Sequence, residues 1–207
     1  CLETVQGEGG IYPATKDFLA GIRQLCDEHE ILMISDEIQC GMGRSGEMFA
    51  YQTYGVTPDI VVSAKALGCG VPVGAIGTIG RATGVLSAGD HGTTYGSNPL
   101  ATAAVAAVFQ LFEQYDVLAN VREMTAYLDQ VLSDLAARSK LIQEIRGLGL
   151  MKGIELSVPA ASYIKALQES GVIVIPSGTH VIRLLPPLIL RKEHIDEFAF
   201  SFAKTLK

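Results

Sequence analysis

Two ionisable side chains follow short apolar segments in the first half of the chain. Lys65 comes after residues 60–64, and Asp36 comes after residues 31–35. A lysine at the end of a buried strand is partly desolvated, which lowers its pKa and frees an amine that can form a Schiff base with a carbonyl. A carboxylate in such a place needs a partner, and a protonated pyridine nitrogen would be one. Taken alone, Lys65 is equally consistent with a solvated lysine in a loop, and Asp36 with a turn cap. The prediction therefore depends on the two residues together.

Three further polar residues could bind anions. Thr93 and Thr94 lie in the glycine-flanked loop 89–96, where hydroxyls and backbone N–H groups suit a phosphate dianion. A polar turn before a helix explains the two threonines equally well. Arg183 lies in the apolar segment 181–187 and needs a carboxylate, from a substrate or from a structural glutamate. The four histidines have no metal-ligand spacing, so no metal site is predicted.

A glycine-rich segment offers a different class of function. Residues 41–46 read Gly-Met-Gly-Arg-Ser-Gly, which is the spacing of the dinucleotide fingerprint. That fingerprint must open a helix and be followed by an acidic residue about 20 positions later. Residues 47–55 lack an amphipathic stripe and Asp59 comes too early. We interpret the segment as a loop, with a nucleotide-binding oxidoreductase domain as the alternative.

The spacing of apolar residues predicts the elements that position these groups. Residues 15–29 form a predicted helix with Phe18, Ile22, Leu25 and Cys26 on its buried face. The apolar runs 31–34 and 60–62 are typical of strands buried on both faces of a parallel sheet. Ligands of such α/β sheets lie beyond the carboxyl ends of the strands, where Asp36 and Lys65 are predicted to lie.

The second half of the chain has a different pattern. Asn98-Pro99 predicts a capped helix to about Tyr115, and a second helical stripe follows. That stripe consists of Leu118, Val121, Met124, Leu128, Val131 and Leu135. Later segments predict strands at 148–156, 172–175 and 181–185, a helix at 162–169, and a last helix burying Ile195, Phe198, Phe202 and Leu206. The boundary is predicted near Val117, between an α/β domain (1–117) and a small α+β domain (118–207).

Composition limits the class of protein. The 207 residues are 48% hydrophobic, which is enough for a sizeable core. The net charge of −6 and the lack of a basic stripe argue against nucleic acid as a partner. The sequence has no apolar run of about 20 residues, which argues against a membrane span. Four scattered cysteines favour the reducing cytoplasm. The chain begins at Cys1 in a strand-like segment, and we expect it to be a piece of a longer protein.

Three segments together resemble the class III (ornithine-type) aminotransferases. They are Ser-Asp-Glu-Ile-Gln at 35–39, Ser-Ala-Lys-Ala-Leu-Gly at 63–68 and His-Gly-Thr-Thr-Tyr-Gly-Ser-Asn-Pro-Leu-Ala at 91–101. Segments 2–10 and 55–60 favour the acetylornithine-specific members of the family. The resemblance covers essentially the whole chain. It implies part of a fold type I large domain with a mostly parallel sheet, a small C-terminal domain, and the cofactor pyridoxal 5′-phosphate.

The resemblance also implies a role for each matching residue. Lys65 would hold the cofactor as a Schiff base and then move the proton, and Asp36 would pair with the pyridine nitrogen. Ile38 would pack on the ring and Gln39 would bind its phenolic oxygen, with Glu37 counted in the same cofactor-binding segment. Thr94 would bind the phosphate of the neighbouring subunit of a homodimer. The substrate residues would be Thr93, Glu8 and Arg183, the last two as a pair that can change partners.

The implied reaction moves the terminal amino group of N-acetylornithine to 2-oxoglutarate in arginine biosynthesis. Ornithine, succinylornithine and 4-aminobutyrate remain alternative donors. The family's other phosphate loop, its ring-stacking aromatic residue and its carboxylate-binding arginine lie upstream of Cys1. We therefore expect the 207-residue piece alone to be inactive or nearly so. A further alternative is an inactive fragment that serves only to dimerise or as a folding unit.

Overall fold

The computed structural model describes residues 1–206, which form two compact units. The first unit contains residues 1–4, 14–43 and 47–116, and the second contains residues 5–13, 44–46 and the chain from Val117 onward. The predicted boundary near Val117 stays a prediction for the domains of the whole protein. No helix within residues 1–206 combines the length and the apolar composition that crossing a membrane requires.

Residues 1–206 form ten strands and six α-helices. The strands are β1 (Leu2–Glu3), β2 (Val5–Gln6), β3 (Tyr12–Pro13), β4 (Ile34–Asp36), β5 (Ile60–Ser63), β6 (Ala75–Thr78), β7 (Ile142–Leu148), β8 (Met151–Leu156), β9 (Ile175–Ser177) and β10 (Val181–Leu184). The α-helices are α1 (Lys16–Glu28), α2 (Tyr51–Tyr54), α3 (Pro99–Gln114), α4 (Val117–Arg138), α5 (Ala161–Glu169) and α6 (Lys192–Thr205). Short 3₁₀ turns cover Lys65–Leu67 and Gly80–Ala82.

The first unit contains a mixed sheet in the order β1-β4-β5-β6. The first three strands are parallel and β6 is antiparallel to β5. Asp36 at the end of β4 lies opposite Val62 of β5. The parallel strands therefore end at one edge, and the predicted α/β class with a mostly parallel sheet is confirmed.

The strand before Asp36 begins later than predicted. β4 starts at Ile34, and Ile31 and Leu32 are exposed instead of buried. The reason lies at the end of α1, where Glu30 has a left-handed φ of 55° and Ile31 N donates to Cys26 O at 2.8 Å. This pattern closes the helix as a Schellman motif, so the residues after it belong to the helix terminus.

The helix α1 confirms the prediction for residues 15–29, but its buried face differs. Thr15 caps it, because its hydroxyl accepts from Phe18 N at 3.2 Å. Leu19 is buried, and Ile22 and Cys26 pack beside it, on a core that includes Met33 and Val56. Phe18 and Leu25 are about half exposed, so the predicted face is wrong at these two positions. The predicted face and the observed face, which uses Leu19 in place of Phe18 and Leu25, both have helical spacing. Only the tertiary contacts decide which of the two faces is buried.

The helix after the polar loop begins as predicted. Asn98 accepts a hydrogen bond from Ala101 N at 3.0 Å, and Pro99 occupies the first turn of α3. The following helix α4 buries Val121, Met124, Leu128 and Leu135 as predicted, but Val117 and Leu132 are buried where Leu118 and Val131 were expected. Asn capping and proline in the first turn both act locally, which is why the sequence identifies this start.

The second unit contains an antiparallel sheet in the order β7-β8-β10-β9 and the hairpin β2-β3. The strand β7 was not predicted, and β9 lies at 175–177 where the prediction was 172–175. Arg183 lies in β10 between Gly153 of β8 and Ile175 of β9. The last helix buries Ile195, Phe198 and Phe202 as predicted, whereas Leu206, also predicted to be buried, is half-buried at its C-terminal end.

A partly buried ion-pair network joins α1 to β4 and β5 within the first unit. Asp59 Oδ2 accepts from Met33 N at 2.7 Å and from Arg23 Nη1 at 2.9 Å, and Arg81 lies beside the other oxygen. Burial opposes the charged form of Asp59, but these hydrogen bonds and charges outweigh it and lower its pKa below 3.8. The ionised Asp59 therefore stabilises the folded chain.

Replacing Asp59 with asparagine is expected to reduce the free energy of unfolding at neutral pH by roughly 1–3 kcal/mol. The folded pKa is depressed, so the contribution of Asp59 is complete well above 3.8 and disappears as the pH falls through the lower, folded value. Urea unfolding of wild type and variant between neutral and acidic pH measures this. A gap that stays constant below pH 3.8 would contradict the assigned role.

Candidate active site

The structure brings Asp36 and Lys65 to the same edge of the sheet. Asp36 is the last residue of β4, and Glu37 N donates to Val62 O of β5 at 2.9 Å. Lys65 is the third residue after Val62 and follows the end of β5. Carboxyl ends of neighbouring parallel strands are where α/β sheets bind ligands. The arrangement therefore places an amine and a carboxylate at a typical ligand position.

Asp36 is half-buried, and its carboxylate is oriented by its own turn. Oδ1 accepts a hydrogen bond from Ile38 N at 3.0 Å. The turn-cap interpretation and the ligand interpretation are thus compatible, because one oxygen holds the turn 38–40 and fixes the plane of the carboxylate. Ile38 and Gln39 are half-buried in this turn, directly after Asp36.

Lys65 departs from the prediction in one respect. Its side chain is exposed in the described chain, so the expected partial desolvation is wrong here. The chain leaves β5 before Lys65, which begins a 3₁₀ turn with a left-handed φ of 47°. A non-glycine residue in this region carries backbone strain, and such strain concentrates at functional sites. The turn therefore presents the amine beyond the sheet edge.

Glu37 points into the protein interior. It is 1% exposed, and its two oxygens accept from different backbone groups: Oε2 from Ala50 N at 2.8 Å and Oε1 from Tyr51 N at 2.9 Å. The hydroxyl of Ser35 and the thiol of Cys40 also donate to it. Consecutive residues at a strand end point to opposite sides, so Asp36 and Glu37 do not face one ligand together. The predicted cofactor contact of Glu37 is corrected to an anchor for the loop before α2.

Changing Glu37 to glutamine is expected to lower the free energy of unfolding of the first unit by roughly 2–4 kcal/mol. An amide has one oxygen, so either Ala50 N–H or Tyr51 N–H would face an NH₂ group. The matched control is Glu28→Gln, because that carboxylate is exposed and accepts from Gln24 on the same helix. Urea unfolding measures both variants, and equal effects would remove the argument for a carboxylate.

The threonines lie on an exposed loop between Gly80–Ala82 and α3. Thr93 Oγ1 accepts from Gly96 N at 3.3 Å, which forms a local turn. Thr94 is also exposed. Their predicted roles toward phosphate and substrate stay predictions.

The predicted pair of Glu8 and Arg183 is formed in the second unit. Arg183 Nη1 contacts Glu8 Oε1 at 2.7 Å and also donates to Gly7 O at 3.0 Å. The Arg183 side chain is 9% exposed, whereas Glu8 is 74% exposed. A buried cation is therefore neutralised by a glutamate whose own side chain lies largely in solvent.

The glycine segment 41–46 does not have the geometry of a dinucleotide loop. It continues in turns to Ala50, and the helix that follows, α2, has only four residues. Arg44 donates to Leu150 O at 3.1 Å and to Pro186 O at 2.9 Å, and burial lowers the pKa of its guanidinium to about 10. The arginine is thus a structural link of the second unit. The oxidoreductase alternative lacks the helix that it requires.

Two buried residues of the second unit were missed in the sequence. Ser177 and Arg146 both bind the backbone of the loop that carries Glu8. Only Arg146 offered a signal, because it is a charged residue that follows Ile145 and precedes Gly147 and Leu148. Ser177 offered no signal, because serines are mostly exposed and a single serine in a sequence does not indicate a buried site.

Lys65 and Asp36 at one sheet edge are the residue types that carbonyl chemistry on a cofactor requires. The chain belongs to the class-III aminotransferase family, whose family model matches residues 1–206. The resemblance seen in the sequence is confirmed, and this family depends on pyridoxal phosphate.

Curated relatives and solved structures agree with this assignment. The chain is 48% identical over 195 residues to the acetylornithine aminotransferase of Methanocaldococcus jannaschii, covering 94% of this chain and 49% of that protein. It is 44% identical over 200 residues to the succinylornithine transaminase of Yersinia pestis bv. Antiqua, covering 95% and 48%. The Plasmodium falciparum ornithine delta-aminotransferase superposes with a TM-score of 0.92 at 34% identity, covering 99% of this chain and 54% of that one. The chain therefore spans about half the length of the relatives it matches.

Proposed function

We propose that a full-length protein containing this chain transfers the terminal amino group of N-acetylornithine to 2-oxoglutarate. The observation that carries the proposal is the position of Lys65 and Asp36 at one sheet edge in a class-III aminotransferase chain. The acetylornithine aminotransferases among the relatives, at 44–48% identity, support this donor. Ornithine, succinylornithine and 4-aminobutyrate are the other donors to be compared. A cytoplasmic homodimer in arginine biosynthesis is part of the same proposal and rests on the family resemblance.

The residues at the sheet edge fit pyridoxal phosphate. Lys65 would hold it through its amine, and Asp36 Oδ2 would face the pyridine nitrogen, since Oδ1 accepts from Ile38 N. Ile38 and Gln39, in the same turn, would contact the ring face and the phenolic oxygen. Thr94 would bind the phosphate of a partner subunit, with Thr93 near the substrate. When bound, the cofactor withdraws electrons from the amino-bearing carbon of the substrate.

The chain's own residues would then perform two tasks. Lys65 Nζ, once released by the incoming amine, would remove a proton from the substrate carbon and return it on the cofactor side. Asp36, as an anion, would keep the pyridine nitrogen protonated throughout. The exposed position of Lys65 after its left-handed turn suits a group that must move between two atoms.

The pair of Glu8 and Arg183 would allow one site to accept two kinds of substrate. We call the pair closed when the Glu8 carboxylate is ion-paired with Arg183, and open when the Glu8 side chain has rotated away from Arg183 toward solvent. The closed pair would hide the cation from a neutral or basic donor side chain. The open pair would offer it to the second carboxylate of 2-oxoglutarate.

The proposal is tested by adding pyridoxal phosphate to the full-length protein, reducing with borohydride and mapping the modified peptide. A pyridoxyl group on Lys65, together with amino transfer from N-acetylornithine to 2-oxoglutarate, is expected. Each alternative donor is assayed in parallel, and the highest kcat/KM identifies the donor. Modification elsewhere, or none in a folded full-length protein, would refute the proposal.

A further inference from the structure

Residues 7–11 join β2 to β3, and the backbone of this loop is held by buried side chains of the second unit. Ser177, which is 3% exposed, accepts from Gly10 N at 2.9 Å. Its hydroxyl also lies 3.0 Å from Glu8 O and 3.2 Å from Gly7 O. The single hydroxyl proton is shared between these two carbonyl acceptors. Arg146 Nε donates to Gly10 O at 2.7 Å. The backbone on both sides of Glu8 is therefore fixed.

The side chain of Glu8 contrasts with this fixed backbone. It is 74% exposed while its partner Arg183 is 9% exposed. Arg183 also donates to Gly7 O, the carbonyl that Ser177 contacts, at 3.0 Å. Opening the pair would thus leave Arg183 with a backbone acceptor, and Glu8 would move by side-chain rotation alone.

We propose that Ser177 is a positioning residue that sets the balance between the closed and open pair, and thereby the discrimination between donor and dicarboxylate acceptor. The inference rests on the proposed function. Ser177 acts through the loop backbone, since its hydroxyl contacts Gly7, Glu8 and Gly10 and its side chain is buried.

Removing the hydroxyl should affect the two half-reactions unequally. Without Ser177 Oγ, Gly10 N–H loses its acceptor and the carbonyls of Gly7 and Glu8 lose a donor. The loop then holds Glu8 less firmly against Arg183, so the closed pair becomes less populated. Only the donor half-reaction needs the closed pair, whereas Arg183 itself stays in place because β10 is paired on both sides.

The test compares Ser177→Ala with wild type in the full-length holoenzyme, measuring the donor and the 2-oxoglutarate half-reactions separately. We expect kcat/KM of the donor half-reaction to fall about tenfold and that of the acceptor half-reaction to change less than about twofold. Ser201→Ala is the matched control, since Ser201 is a buried serine on α6 of the same unit; it should leave both values unchanged. In a Glu8→Gln background, Ser177→Ala should no longer change the donor-to-acceptor ratio.

Three results would overturn the inference. Equal losses in both half-reactions, or an undiminished donor effect in the Glu8→Gln background, would make Ser177 a purely structural residue. Amide hydrogen exchange supplies a measurement independent of activity: Gly10 N–H should exchange at least about tenfold faster in Ser177→Ala. Unchanged exchange would show that Ser177 does not hold the loop, and would refute the inference by itself. A wild-type protein without either half-reaction would refute the proposed function, and the exchange rate would still test whether Ser177 holds the loop.

Discussion

Replacing Lys65 with alanine is expected to lower amino transfer by at least about 10³-fold while leaving the fold unchanged. The amine at the sheet edge is the proposed covalent anchor and the proposed proton carrier, so both functions are lost together. The side chain is exposed and lies in a turn, so its removal creates no cavity in the core. The measurement is the single-turnover rate with N-acetylornithine, followed by circular dichroism to compare the folds.

The design includes a control and a rescue. Lys16→Ala removes another exposed lysine of the first unit, on α1, and should retain full activity. Added methylamine should partly restore proton transfer in Lys65→Ala, because a small primary amine can occupy the vacated space. An alanine variant with near wild-type turnover would exclude Lys65 as the catalytic lysine.

The parts of the fold that were predicted correctly depend on local signals. Asn98 followed by Pro99 begins α3 through one side-chain hydrogen bond and one fixed φ, both encoded in adjacent residues. The run before Ser63 forms β5 because it is apolar and short. Local chemistry of this kind does not depend on distant contacts, so the sequence alone is sufficient.

The sequence-based predictions are wrong where contacts between residues distant in sequence determine the secondary structure. The strand β7 includes Gln143, Glu144 and Arg146, so its sequence is not an apolar run. It pairs with β8 along its length, and Arg146 contacts Glu155 of β8 across that pair. Likewise, the Schellman closure at Glu30 delays β4 although residues 31–33 are apolar. In both cases hydrogen bonding and ion pairs override the hydrophobic pattern.

The candidate site was predicted by residue type and order, and the structure adds the direction of each side chain. Asp36 and Glu37 are adjacent carboxylates and both were counted as cofactor-binding, yet Asp36 lies at the sheet edge and Glu37 accepts from Ala50 N and Tyr51 N in the interior. Ser177 could be recognised only after the hairpin and β9 were placed together. Sequence reasoning therefore identifies the chemistry, while hydrogen-bond geometry separates ligand-facing residues from those that support them.

Changing Asp36 to asparagine is expected to lower amino transfer by about 10²–10³-fold with little loss of stability. The amide keeps an oxygen for Ile38 N, so the turn persists, but the negative charge that would hold a proton on the pyridine nitrogen is gone. Stopped-flow measurement of the donor half-reaction, with the cofactor content of each sample determined, separates slow chemistry from weak binding.

The matched control is Asp90→Asn, because Asp90 also caps a turn in the first unit, accepting from Ser87 N at 2.7 Å. It should leave the half-reaction rate within about twofold, since a capping oxygen survives in both variants. If Asp36→Asn and Asp90→Asn behave alike, the carboxylate of Asp36 serves the turn alone. A slow Asp36→Asn variant with a wild-type unfolding midpoint, beside an unaffected Asp90→Asn, would show that the charge of Asp36 itself is required. The two variants preserve the same type of hydrogen bond and differ only in what the second oxygen of the original carboxylate faces.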